Sequence, residues 1–249
     1  MITSKIESGV LILSIDRQDK KNALTNAMYL DLAKQISDAQ SNDAVRTILI
    51  RGEGNDFCAG NDLADFLKLA ESGGLEKGLS NFPPIHLLHV VVDNKLPLIA
   101  SVQGAAIGIG LTLLLHCDMV LCAENVRLQA PFVDLGLVPE GGSSALLPQR
   151  VGKANAAEIL LLGAPISADR ALQMGLCNAV CSLTDLDTQA AAVASVFAAK
   201  PQESLAASKA LLAEDIDVLH QRIDQEGNQF LERLQSDEAK QALAGFFRK

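Results

Sequence analysis

An α/β fold is predicted for this chain on three observations. Short apolar runs followed by a glycine-bearing loop and a helical pattern recur at Arg46, Leu98 and Met119, without the fixed period of a solenoid. The stretch from Pro97 to Asp118, PLIASVQGAAIGIGLTLLLHCD, joins an interior strand to a helix apolar nearly all round through three glycines. From Lys153 onward the composition shifts to alanine and leucine, and about the last sixty residues read as almost wholly helical.

Taken in order, Ile2 to Glu7 and Val10 to Ile15 flank Ser8-Gly9 and read as a hairpin. The basic loop Asp19-Lys20-Lys21-Asn22-Ala23-Leu24 follows. Thr25 then caps a helix to about Gln40, with Met28, Leu32 and Ile36 four residues apart on its inner face. Arg46 to Arg51 is a strand, and the loop Gly52 to Leu63 after it carries the small-residue core Cys58-Ala59-Gly60, which can present a backbone amide. Ala64 to Ser80, broken by Gly73-Gly74 and Gly78, is expected to be mobile. Pro83 to Asn94 makes an amphipathic helix. It carries His86 and His89, but no carboxylate or cysteine cluster accompanies them, and no metal is expected.

In the central stretch, Leu98 to Gln103 is short enough for an interior strand. Gly104, Gly108 and Gly110 let the backbone bend and approach a ligand. Leu111, Leu113, Leu114 and Leu115 form the buried helix, interrupted by Thr112 and His116. Amides from about Gly108 to Gly110, at the positive end of that helix, would face an anion or a developing oxyanion. Tight packing alone is one competing account of the turn. A dinucleotide turn is another, with Glu124 near the ribose position, but Leu113 stands where that pattern needs its third glycine.

Met119 to Ala123 is the next strand. Glu140 then lies between Pro139 and the pair Gly141-Gly142, immediately before a helix from Ser143 to Arg150. Helices follow at Lys153 to Leu162 and Ala168 to Met174, then a strand at Asn178 to Cys181. Further helices run from Leu183 to Ala199, from Pro201 to Ala213, over Asp215 to Leu234 and, capped by Ser236, over Asp237 to Phe247. Phe246 and Phe247 are expected to dock on the core or on another subunit.

Length and charge narrow the partners. A chain of 249 residues with 49% hydrophobic content buries a sizeable core. Net charge of −9 argues against nucleic acid or an acidic membrane as the main partner. Five cysteines without a CxxC pair suit free thiols. No signal segment, no run of roughly 18 residues able to span a bilayer, and no peroxisomal address at the C-terminus are read, so a cytoplasmic protein is expected.

Three segments together resemble the crotonase superfamily, the enoyl-CoA hydratases and isomerases: the central turn, Phe57-Cys58-Ala59-Gly60-Asn61-Asp62-Leu63, and Pro139-Glu140-Gly141-Gly142. The likeness covers almost the whole chain. It implies a crotonase-like spiral of ββα turns over residues 1–190, a helical C-terminal region over 191–249 serving oligomerisation, and a homotrimer or pair of trimers. It also implies an acyl-CoA thioester as substrate, with coenzyme A part of that substrate and no separate cofactor. The oxyanion amides it implies are those of Ala59 and Ile109. The segment Lys21, Asn22, Ala23 and Leu24 looks like the lining of a coenzyme A site, with Ala59, Asn61, Asp62, Leu63, Gly108, Ile109, Phe132 and Pro139 completing the substrate contacts.

Enolate formation beside a thioester needs donors on the carbonyl oxygen and one base. The hydratases of the family place two glutamates at positions that here are Thr112 and Phe132, so paired addition of water is not expected. Glu140 instead matches the acid of the Δ3,Δ2-enoyl-CoA isomerases, with Asp62 and Asp134 as the next carboxylates to consider. Isomerisation of a 3-enoyl-CoA to a 2-enoyl-CoA is the expected activity. Hydration through an unusual acid and non-catalytic acyl-CoA binding stand as alternatives, as does a Glu140 that only starts the helix after it.

Overall fold

The computed structural model describes residues 1–62, 65, 79, 82–213 and 215–246. Leu63, most of the Ala64 to Ser80 stretch and the docking expected of Phe246 and Phe247 lie outside the described residues or side chains.

Six strands form the main sheet. β1 (Ile2–Glu7) and β2 (Val10–Ile15) pair antiparallel around Ser8-Gly9. Helix α1 (Asn26–Ala39) follows, with the Thr25 hydroxyl accepting from the Met28 amide at 3.4 Å, the cap expected from the sequence. β3 (Thr47–Gly52), β4 (Leu98–Val102), β6 (Met119–Ala123) and β9 (Ala179–Cys181) extend the sheet in parallel, in the order β1-β2-β3-β4-β6-β9. Strands such as β4, buried at every residue, are covered on both faces, which is why they read as unbroken apolar runs.

Three short strands, β5 (Ala105–Ile107), β7 (Arg127–Gln129) and β8 (Ile166–Ser167), form a second sheet. The chain passes from β4 to β5 and from β6 to β7, so successive turns alternate between sheets and build a spiral. The β4–β5 corner turns at Gly104, where a Cβ would sit 2.0 Å from the Asn55 carbonyl oxygen, so that only glycine fits.

Helix α2 (Pro83–Val92) packs on α1. Beyond β5 the expected buried helix is a single α turn, α3 (Ile109–Thr112), tightened into a 3-10 turn over Leu113–His116. One turn sums too few peptide dipoles for a helix-dipole effect, which leaves the unpaired amides as the feature that matters. Helices α4 (Ser143–Val151), α5 (Lys153–Leu160) and α6 (Ala168–Met174) match the expected spans closely. α7 (Leu186–Ala198) runs across residue 190 and buries Ala190, Ala194 and Ala198 in a cluster with Val10, Ile12, Leu49 and Ile99. The expected boundary at 190 therefore falls inside a helix that belongs to the sheet.

Then come α8 (Gln202–Leu212), α9 (Ile216–Leu234) and α10 (Asp237–Phe246). α9 packs on α2, where Gly227 lets the two approach: a Cβ there would lie 2.8 Å from Ile85 Cδ1. Among the described residues, no helix is long and apolar enough to cross a membrane.

Candidate active site

The basic loop and the Phe57–Asp62 loop are bound together through their backbones. Lys21 and Asn22 take left-handed conformations, φ 50° and 60°, which asparagine tolerates and lysine adopts at some cost. Asn22 offsets that cost with its side chain. Fully buried, it accepts from Arg17 N–H at 2.8 Å and donates to the carbonyls of Glu53 at 2.9 Å and Asp56 at 2.6 Å. Leu24 is likewise buried. Its N–H donates to Gly60 O and its carbonyl accepts from Asp62 N–H, both at 2.8 Å. Asn22 and Leu24 thus tie the basic loop to the second loop. Lys21 keeps an exposed side chain and Ala23 is half-buried.

The same pairing decides which amide of the second loop is free. Ala59 N–H donates to Lys21 O at 2.9 Å, so the expected oxyanion donor is occupied. Leu24 pairs with Asn61 in a parallel bridge, in which the bonds run to the residues on either side of Asn61 while its own N–H points the other way. Asn61 N–H has no acceptor among the described residues. Gly60, at φ 102°, turns this side toward β5, and a Cβ there would stand 3.1 Å from Ile107 O.

On the facing turn, Gly108 N–H donates to Gln129 O at 2.8 Å, and Gly108 O accepts from Leu111 and Thr112. Ile109 N–H opens α3 and has no acceptor among the described residues. The two loops are pressed together. Cys58 N–H donates to Ala105 O and Cys58 O accepts from Ile107 N–H, both at 2.9 Å, and a Cβ on Gly110 would lie 2.4 Å from Cys58 O.

Glu140 is buried at 5% exposure. The Thr112 hydroxyl donates to its Oε1 at 2.5 Å, so the position at which hydratases of the resembling family carry an acid here holds a neutral donor. Burial pushes the Glu140 carboxyl up to about 7, the Thr112 hydrogen bond opposes the rise, and the Glu226 charge adds to it. A cleft beside it is lined by Asn61, Phe82, Pro84, Ile85, Gly227 and Phe230. Phe132 is buried and meets Phe230 edge to face, centroids 6.5 Å apart. Pro139 is half-buried at the head of the loop.

The other carboxylates considered lie elsewhere. Asp62 pairs with Arg17 at 2.6 Å and also accepts from Asp65 N–H. Asp134 is exposed on a 3-10 turn. His89 lies 3.0 Å from Asp224 and stacks edge-on against His220, while His86 shares a cleft with His89 and Asp224. That carboxylate neighbour comes from α9, which local sequence around His86 and His89 does not reveal. Among the described residues no cluster of three or more metal-ligating groups is present.

Sequence reasoning missed three residues. His116, half-buried and pushed down to about 4 chiefly by desolvation, is neutral and donates through Nε2 to Gly141 O at 2.8 Å. Glu226, on α9, accepts from Gly142 N–H at 2.7 Å and Ser144 N–H at 2.9 Å, and from the Ser144 hydroxyl. Tyr29 on α1 donates to Asn61 Oδ1. A polar residue on the apolar face of a helix was the available signal for Tyr29 and Glu226.

The family model described as "Enoyl-CoA hydratase/isomerase" matches residues 5–249. Enoyl-CoA delta isomerase 2 of Rattus norvegicus is 32% identical over 249 residues, covering 99% of this chain, which spans 62% of that protein's length. The 2,3-dehydroadipyl-CoA hydratase of Escherichia coli K12 is also 32% identical, over 98% of this chain and 94% of its own. Among solved structures, Pseudomonas aeruginosa OdaA superposes with a TM-score of 0.94 at 41% identity, over 100% of this chain and 99% of that one. With the alternating two-sheet spiral and its helical C-terminal region, these matches establish that the chain is a crotonase-fold member of the enoyl-CoA hydratase/isomerase family.

Proposed function

We propose that the protein is an acyl-CoA isomerase that moves a double bond from C3 to C2 of a 3-enoyl-CoA. The observation that carries this reading is a buried carboxylate, Glu140, hydrogen-bonded to Thr112, a neutral hydroxyl, rather than paired with a second acid. Glu140 takes a proton from C2, and the dienolate charge runs from the thioester oxygen to C4, where the same carboxyl returns the proton. The free amides of Asn61 and Ile109 receive the oxygen as its charge develops. Phe132, Phe230 and Ile85 keep the site apolar, which raises the proton affinity of the base and excludes competing water.

Relatives are named both isomerase and hydratase, so the product decides between the two enzyme readings. Mixed with a 3-enoyl-CoA, the protein should form the conjugated 2-enoyl thioester, and crotonyl-CoA should be hydrated far more slowly. Hydration as fast as isomerisation would reverse that order, and neither reaction would leave acyl-CoA binding without turnover. The chain is further proposed to assemble as a homotrimer or a pair of trimers. A monomer in sedimentation at micromolar concentration would contradict this.

A further inference from the structure

We propose that Glu226 is a positioning residue for Glu140: from helix α9 its carboxylate accepts three hydrogen bonds from Gly142 and Ser144, fixing the base's loop and setting a negative charge behind the base. The inference rests on Glu140 being the base.

The loop needs an external clamp. Gly141 and Gly142 both hold left-handed φ, 73° and 72°, and Gly142 starts α4 with no side-chain cap of its own. Glu226 supplies the missing acceptors from outside the helix, while His116 donates to Gly141 O. All three groups on Glu226 are donors, which is the pattern of an ionised carboxylate. It is 6% exposed, so its charge is poorly screened by water. Gly227 beside it allows α9 to sit close enough on α2 for the carboxylate to reach the loop.

The charges around the pair come from several elements. Burial raises the Glu226 carboxyl above the ordinary glutamate range, and the hydrogen bonds from Ser144 and Gly142, together with Arg222 one turn earlier on α9, oppose that rise and favour the ionised form. Glu140 faces Glu226 from α9, neutral Tyr29 from α1, the Cys58 thiol from the second loop and Thr112 from α3. His116 is neutral, and the His89–Asp224 pair lies on the side of α9 that meets α2. Among the described residues, Glu226 is thus the carboxylate whose charge acts on Glu140. A bland account also exists, in which Glu226 only caps α4.

The titration of Glu140 separates the two and needs no turnover. Carbon-13 NMR on protein labelled at the glutamate side-chain carboxyl follows it, with Glu140→Gln assigning the signal. In Glu226→Gln, the Glu140 carboxyl should titrate at lower pH than in the wild type. With a 3-enoyl-CoA, kcat should fall about tenfold while KM stays within about twofold, because the base is displaced but the thioester contacts are kept. An unmoved titration overturns the proposal whatever happens to Tm, and so does a wild-type kcat. If the wild type turns over no 3-enoyl-CoA, the reaction assignment fails and the titration alone decides on Glu226. Should Glu226→Gln not fold, Glu226→Asp keeps the charge and shortens the arm. There kcat should fall with the Glu140 titration little changed, and an unchanged kcat would overturn the clamp.

Discussion

Glu140→Gln should lower isomerisation of a 3-enoyl-CoA by about 10² to 10⁴ while acyl-CoA binding is largely retained, the usual share of a general base. Glutamine keeps the shape and can still accept from Thr112, so the loss isolates proton transfer from packing. Stability should move the other way at alkaline pH. Below about 4.5 the carboxyl is protonated folded or unfolded; between there and about 7 the folded state keeps a proton that the unfolded state releases, so stability falls as pH rises. The variant lacks that slope, and Tm measured at pH 5 and pH 8 shows it. Full activity in Glu140→Gln would move the base elsewhere, and neither Asp62, paired with Arg17, nor exposed Asp134 is placed to replace it.

Ile109→Pro should cost about 10² to 10³ in turnover, typical for one oxyanion donor. Proline is tolerated at the first position of a helix, where its missing N–H is unpaired in any case, so the backbone of α3 need not change. Ile109 is fully buried, and some stability is lost with its side chain. A folded variant with wild-type turnover would show that its amide does not receive the thioester oxygen. No analogous loss is expected from the amide of Ala59, which is already bonded to Lys21 O.

The sequence makes part of this architecture legible and leaves part of it hidden. Elements defined by local chemistry are readable: Thr25 caps α1, Ala168–Met174 forms where its pattern begins and ends, and β3 and β4 appear as apolar runs of strand length. Strands of two or three residues, β5 and β8, are too short to carry a period, although β5 helps build the site. The glycine turn at Gly108 to Gly110 announces close backbone approach. Whether Ala59 or Asn61 offers the free amide depends on which neighbours Leu24 bonds, and that is set by a partner strand rather than by the loop's own residues. Glu226 lies 84 residues from Gly142; its place on the apolar face of the α9 pattern flags it as unusual but names no partner. Only the packing of α9 on α2 gives it a role.

The measurement that bears most directly on a buried Glu140 acting as base is the pH dependence of kcat/KM for 3-enoyl-CoA isomerisation, which reports the free enzyme's essential base. Only the carboxylate can accept the C2 proton, and burial pushes this group up to about 7. Activity should therefore rise with pH to half its plateau near pH 7, and the residual activity of Glu140→Gln should lack that limb. A limb near 4.5, the ordinary value for a glutamate, or a limb near 7 that persists in Glu140→Gln, would contradict the assignment.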